Sequence, residues 1–325
     1  LNAQGGVVGA SFNIGGINPL LKSPKADIWM LSVQRKLTSH LAASVGYSGS
    51  HSYDIVANGN ASGIVSYGVD INVQPGDLIT NESTTPTRLN PSFGAITYSA
   101  NDRYANYQSV YFDLRGKFSR GYIDASYTRS RAKDDALDYP DPFNPGKYYA
   151  LSNFDVPNRF SISFNYSLKG LSGGRGAAGL LTGGWGVSGT SIFQSGYPLT
   201  ASNFNSYQPI CQNGSTGCPS IGNPAIGYAP GSGDYNADGV NLDYPDAASY
   251  NQSHENGAWL TGAIPKSNFA VPAFGQEGNE QPMRFRGPNF YETDVNFYKD
   301  TRITERLNFQ VRFEFFNIFN RPNYA

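Results

Sequence analysis

From Phe290 onward the chain alternates. Tyr291-Glu-Thr-Asp-Val-Asn-Phe-Tyr-Lys and then Leu307-Asn-Phe-Gln-Val-Arg-Phe-Glu-Phe-Phe switch between apolar and polar at nearly every step. Only a β-strand repeats its side-chain direction at every second residue, so each segment sets one face in an oily medium and the other in a wet one. In the second segment Leu307, Phe309, Val311, Phe313 and Phe315 share the apolar face, while Asn308, Gln310, Arg312 and Glu314 share the polar face. Two architectures use such ribbons. A soluble sandwich buries the apolar face between two sheets; a membrane barrel turns it to lipid and lines its lumen with the polar face.

Composition narrows the choice without making it. The 325 residues (35.2 kDa) include 37 Gly, 22 Tyr and 20 Phe against 15% charged residues, which describes strands and turns with little helix-forming material. Mean hydropathy is −0.41. No run reaches the ~18 apolar residues a spanning helix needs, but barrel strands carry only half their residues as apolar and escape that test. A net charge of −1 offers no electrostatic basis for nucleic-acid binding. The sequence opens at Leu1 without a basic and apolar leader, so the expectation is a signal peptide already removed or a start further upstream.

Eight segments carry strand patterning: Ile28 to Arg35, Leu41 to Ser48, Asn106 to Phe118, Gly121 to Arg131, Arg159 to Leu168, Trp185 to Gln194, Phe290 to Arg302 and Leu307 to Phe316. They group into hairpins over 28–48, 106–131, 159–194 and 290–316. Links inside hairpins are short (Lys36 to His40, Ser119-Arg120, Ile303 to Arg306), except for the Gly-rich stretch Lys169 to Gly184. Links between hairpins are long, at 49–105, 132–158 and 195–289, and dense in Gly, Pro, Asn, Ser and Tyr. Structureless links of that size count against a compact soluble domain. Short turns at one end and long loops at the other suit an outer-membrane barrel, whose turns are periplasmic and loops extracellular.

A tight Ser119-Arg120 turn pairs Phe118 with Gly121, and so sets Arg115 opposite Asp124, Asp113 opposite Ser126 and Tyr111 opposite Thr128 on one face. Leu114 with Ala125 and Phe112 with Tyr127 fall on the other. A slip of one residue would drive Arg115 or Asp113 into hydrocarbon at about 2–4 kcal/mol. In the last hairpin the expectation sets Asn296 opposite Arg312 and Tyr298 opposite Gln310, with Val295, Phe297 and Val311 outside and Arg312 bridging Asp294 and Glu314. The predicted lumen-facing set is therefore Asp113, Arg115, Asp124, Asn296, Gln310, Arg312 and Glu314. Eight strands that begin and end on the long-loop side lead to the expectation of at least one further strand at each end.

Trp29-Met-Leu-Ser-Val-Gln-Arg-Lys-Leu followed by Val45-Gly-Tyr-Ser-Gly-Ser-His resembles a hairpin of TonB-dependent outer-membrane receptors of the Oar-like kind, in which a carboxypeptidase-regulatory-like domain and a plug precede the barrel. Further matches follow in that family's order: Asn106-Tyr-Gln-Ser-Val, Phe118-Ser-Arg-Gly, Ala125-Ser-Tyr-Thr-Arg-Ser-Arg-Ala, Asn153-Phe-Asp-Val-Pro-Asn-Arg-Phe, Gly184-Trp-Gly-Val-Ser-Gly, Phe193-Gln-Ser-Gly-Tyr-Pro and Phe313-Glu-Phe-Phe-Asn-Ile-Phe-Asn-Arg-Pro-Asn. The resemblance implies an all-β antiparallel transmembrane barrel of about 22 strands, of which this chain is the C-terminal part without plug, energy-coupling segment or last strand. It also implies ligand capture by the loops, uptake driven by the TonB complex, outer-membrane lipid as surroundings, and a siderophore, oligosaccharide or peptide as cargo.

The long links hold what local chemistry there is. Asp234, Asn236, Asp238, Val240 and Asp243 place oxygen ligands at alternate positions around Gly239, as in the front half of a calcium loop; Pro245 stands where the closing Glu belongs, and a solvated Asx-turn cluster is the alternative. Cys211 and Cys218 suit a local disulfide or two reduced thiols. No other cofactor is implied. Asp134, Asp135, Asp138 and Asp141 could supply a glycosidase pair, but nothing in their Pro-rich surroundings would desolvate a carboxylate, and the sequence has no nucleophile elbow, P-loop or zincin helix. The competing reading is a soluble or surface-attached all-β carbohydrate-binding module, with link tyrosines and Trp259 stacking on sugars.

Overall fold

The computed structural model describes residues 12–56, 69–72, 89–94, 96–99, 101, 103–135, 148–170, 176–201, 244–255, 257–270, 272, 278–304 and 306–324. Eight long strands dominate: β1 (Lys25–Lys36), β2 (Leu41–Ile55), β3 (Arg103–Phe118), β4 (Gly121–Asp134), β5 (Asn158–Ser167), β6 (Trp185–Gln194), β7 (Phe290–Arg302) and β8 (Asn308–Phe315). They form one sheet in chain order, each strand antiparallel to its sequence neighbours. The sheet is an open meander, with the outer edges of β1 and β8 unpaired among the described residues.

Turn chemistry sets the register. At Ser119-Arg120 the two-residue turn pairs Phe118 with Gly121 and Arg115 with Asp124, as the sequence predicts. The last hairpin departs from expectation by two residues: Asn296 faces Glu314, Tyr298 faces Arg312 and Asp300 faces Gln310. The cause is the turn. Ile303 and Thr304 N–H both donate to the Leu307 carbonyl (2.9 and 3.2 Å), and Arg306 N–H donates to Thr304 Oγ1 (3.3 Å), so the loop runs through Leu307 and the ladder resumes at Arg302 with Asn308. An even shift keeps every side chain on its expected face. The first hairpin closes in the same way: Leu37 and Thr38 donate to Leu41 (2.8 and 3.1 Å) and His40 N–H donates to Thr38 Oγ1 (3.2 Å). The shared signature is an aliphatic residue, Thr, two polar residues and Leu. Arg312 does not bridge Asp294 and Glu314 as predicted; it donates to Gln310, while Asp294 accepts from the Asn317 N–H at 2.9 Å.

The link between β5 and β6, expected as a Gly-rich loop, contains helix α1 (Gly176–Thr182). Lys299 Nζ reaches across to donate to the carbonyls of Leu180 and Gly183 (both 2.7 Å), the C-terminal end of that helix, where a cation is favoured. Elsewhere the links make short pairings: Ile14–Ile17 and Val69–Asp70 flank Ile96–Ser99, Pro198–Leu199 joins Phe285–Arg286, and Asp246–Ala247 joins Phe269–Ala270.

The packed core is not in the sheet. Among the described residues the buried apolar side chains are Tyr148, Tyr244, Ala263 and Phe285, all in links. On the sheet, Phe112, Phe309 and Phe313 keep 50%, 56% and 50% of their surface exposed, and among the described residues no second layer covers them. No helix among the described residues is long and apolar enough to cross a membrane, which says nothing of strands.

Candidate functional site

Register assigns every strand residue to one of two faces. One face carries Ser44, Asp113, Arg115, Asp124, Asn296, Gln310, Arg312 and Glu314, so all seven predicted lumen residues lie on the same side of the sheet. Side-chain contacts run from strand to strand across this face. Ser44 donates to Asp113 (3.1 Å), Arg115 Nε lies 3.5 Å from Asp124 Oδ2, Ser126 meets Ser161 (2.9 Å), and Asn296 donates to Ser188 (3.4 Å). Tyr298 Oη donates to Asn165 at 3.2 Å, and Gln310 donates to Asp300 at 2.6 Å. Two tyrosines lean over glycines directly opposite them, Tyr111 over Gly46 and Tyr298 over Gly186. The wall is therefore polar, mixed in charge and wet: Arg115 and Asp124 keep 69% and 49% of their side chains exposed, where an ion pair is screened and contributes little.

The opposite face is apolar through its middle. Val45, Phe112, Leu114, Ala125, Ile162, Phe164, Val187, Val295, Phe297 and Val311 all project from it. Aromatic and basic groups mark its two ends. At the tight-turn end Lys299 lies 5.2 Å over the Trp185 ring. At the long-link end a ladder of rings crosses β1 to β4: Lys25 over Tyr53 (5.9 Å), Tyr53 on His51 (5.5 Å), His51 beside Tyr104 (6.4 Å), Tyr104 on Tyr149 (4.8 Å) and Lys133 over Tyr149 (5.2 Å). Sequence periodicity does not find this ladder, because Tyr149 comes from a link.

Long-range contacts hold the described parts of the links to the strand ends. Arg286 forms an ion pair with Asp155, which is 1% exposed, and also donates to the Asp155 carbonyl at 2.9 Å. Asp155 in turn accepts from the Ala132 N–H of β4 (2.6 Å). Phe285, fully buried, packs against Tyr250 and Phe269 with ring centroids 5.6 Å apart in each case. Glu280 is buried beside this cluster: its Oε1 accepts from the Ala201 N–H (3.1 Å) and its Oε2 has no hydrogen-bond partner. Burial pushes the Glu280 carboxyl up to about 7, with the Ala201 N–H partly opposing.

Two cavities open among these segments. One, of about 740 Å³, has Arg131, Lys133 and Tyr149 on one side and residues 278–284 on the other. A smaller one, of about 260 Å³, is lined by His254, Trp259, Arg286, Asn289 and Tyr324. Of the acidic cluster considered for catalysis, Asp134 ends β4 and Asp135 accepts from the Tyr104 N–H (2.8 Å) near Arg103, a structural role; Asp138 and Asp141 lie outside the described residues. So do Asp234, Asn236, Asp238, Val240 and Asp243, and Cys211 with Cys218.

Comparison with known proteins follows the same lines. The family described as outer membrane beta barrel domain matches residues 2–325. No curated protein matches the sequence. Among solved structures, the outer membrane transporter YddB from Escherichia coli aligns with a TM-score of 0.44 at 11% identity, over 92% of this chain and 29% of that one. The FrpB iron transporter from Neisseria meningitidis aligns at 0.42 and 9% identity, over 95% and 29%. P. aeruginosa FpvA bound to heterologous pyoverdines aligns at 0.38 and 13%, over 92% and 24%. The chain spans less than a third of the length of these structures.

Proposed function

The chain belongs to the outer membrane beta barrel domain family, and from that premise we propose that it forms part of the wall of a TonB-dependent transporter of the Oar-like kind. The face carrying Asp113, Arg115, Asp124, Asn296, Gln310, Arg312 and Glu314 lines the lumen, and the face carrying Phe112 and Phe297 meets acyl chains. The links at the long-link end capture a ligand, of which siderophore, oligosaccharide and peptide are the candidate classes, and an inner-membrane motor acting through a plug drives its passage. The role is transport without catalysis.

One observation carries this reading: polar and apolar side chains separate onto opposite faces across eight strands, yet among the described residues no second layer covers the apolar face. In water an uncovered apolar face of that size would drive association. In a bilayer it is the required outer surface, and the free edges of β1 and β8 are where further strands would close the barrel. A soluble carbohydrate-binding module would instead cover the face with a second layer.

The test is thiol accessibility in intact outer membranes, in a Cys211→Ser/Cys218→Ser background. Cysteines introduced by Asp113→Cys and Asn296→Cys should react with a charged, water-soluble maleimide, and those by Phe112→Cys and Phe297→Cys should not. Equal labelling at all four positions, or recovery of the chain in the soluble fraction without detergent, overturns the proposal.

A further inference from the structure

The apolar surface of β4 stops before the strand does. Ile123, Ala125 and Tyr127 give way on the same face to Arg129, Arg131 and Lys133, spaced about 6.6 Å apart. Arg129 is engaged, donating to Asn158 at 3.0 Å. Arg131 and Lys133 line the cavity of about 740 Å³, whose far wall includes Arg284. Aromatic faces hold two of these cations without neutralising them: Lys133 lies 5.2 Å over Tyr149 and Arg284 4.9 Å over Tyr250. Among the described residues the one acid in the cavity wall is Glu280, whose Oε1 is occupied by the Ala201 N–H. Three basic side chains therefore line one cavity, and among the described residues no carboxylate forms an ion pair with any of them.

We propose that this cavity binds a phosphate group, and that its source is the headgroup of an outer-leaflet lipid. Two guanidinium groups supply fork-shaped donor pairs suited to phosphate oxygens, and the ammonium adds a compact charge. The assignment to lipid rests on the reading that the Phe112 face looks outward. The cavity then stands just past the end of the oily surface of β4, the level at which headgroups lie, and a lipid held there by its phosphate can lay its chains down along Tyr127 and Phe160. The ladder ending at Lys133 continues this zone sideways across β3, β2 and β1, as an interfacial girdle does.

The experiment uses the natural full-length chain in nanodiscs of phosphatidylcholine doped with either a diphosphorylated glycolipid or its dephosphorylated counterpart. Lipid carried through purification is counted by native mass spectrometry. The phosphorylated lipid should be retained and the dephosphorylated one lost. Retention should fall roughly tenfold or more in the Arg131→Gln/Lys133→Gln/Arg284→Gln chain, while the charge-keeping Arg131→Lys/Arg284→Lys chain should retain an intermediate amount. Equal retention of the two lipids overturns phosphate recognition. Displacement by millimolar inorganic phosphate assigns the site to a soluble anion and overturns the lipid source. Quenching by brominated acyl chains in a Phe112→Trp chain, measured against the parent protein, reports orientation separately. Quenching without lipid retention sinks this inference alone; absence of quenching sinks the outward orientation of the face beneath it.

Discussion

Tyr298 occupies the space directly above Gly186 on the neighbouring strand: a Cβ at position 186 would stand 2.2 Å from the ring Cζ. The ring stays there through its hydroxyl, which donates to Asn165 at 3.2 Å and meets Ser167 at 3.4 Å, so one side chain on β7 reaches over β6 to β5. Because the clash is with the far end of a side chain, Gly186→Ala should be tolerated by tilting the ring and losing both contacts. The expected cost is about 1–3 kcal/mol, read as a lower melting temperature of the heat-modifiable folded band. In a Tyr298→Ser background the same substitution should cost far less; an unchanged cost would show that Gly186 is needed for another reason.

Leu114 and Asp113 are adjacent on β3 and face opposite ways, with Ala125 and Ser126 as their cross-strand partners. If the Leu114 face meets hydrocarbon, Leu114→Arg should destabilise the protein in lipid by about 2–4 kcal/mol, while Asp113→Arg should shift stability by less than about 1 kcal/mol. Unfolding titrations in urea from phospholipid vesicles measure both. Similar small effects at the two positions would mean that both faces are wet.

Glu280 makes the link cluster sensitive to pH in a definite direction. Its carboxyl titrates at about 7 in the folded chain against an ordinary 4.5, so the folded state favours the protonated form. The neutral acid carries no penalty below the ordinary value. As pH rises through about 7 the buried charge becomes unfavourable, and the cost levels off at roughly 3 kcal/mol. Glu280→Gln should leave protease resistance of the 278–286 segment unchanged at pH 4 and raise it at pH 8. A variant that weakens the segment equally at both pH values would refute the assignment.

Arg286 and Asp155 are 131 residues apart in sequence and form an ion pair in which the carboxylate is buried and the guanidinium partly exposed. Arg286→Ala leaves the Asp155 carboxylate buried with, among the described residues, the Ala132 N–H as its remaining partner, an arrangement that costs about 3–5 kcal/mol. Hydrogen exchange should accelerate at residues 150–157 and 196–201 while the strand centres keep their protection. Arg286→Lys should fall between the two, since an ammonium cannot reproduce the contacts to the Asp155 carboxylate, its carbonyl and Gly196 together.

What could be read in advance follows from the range of each interaction. Alternation is a property of adjacent residues, so the eight strands and the face of each side chain were legible from Phe112, Asp113 and Leu114 and their equivalents. A two-residue turn leaves no freedom, so the pairing at Ser119-Arg120 was legible too. The hairpin at Ile303 was legible in its faces and not in its register, because the hydrogen bonds at the Thr304 hydroxyl and the Leu307 carbonyl draw Leu307, which alternation assigns to strand, into the turn and move the pairing by two residues. The Tyr104–Tyr149 stack, the Arg286–Asp155 pair and the burial of Glu280 join segments separated by tens of residues through links without periodicity. No local pattern announces such contacts.

The meander has a bearing on how this protein can diversify. Among the described residues each long strand is laddered to its sequence neighbours, with Ala150–Leu151 added beside the end of β4, so the gaps from Ile55 to Arg103 and from Gln194 to Phe290 are tethers that no ladder of the sheet depends on. Doubling such a tether adds only about 0.6 kcal/mol of closure entropy. Insertions within these stretches are therefore nearly free for the ladders as long as Phe285 and Arg286 keep their contacts, and the rim can vary while the staves beneath it stay as they are.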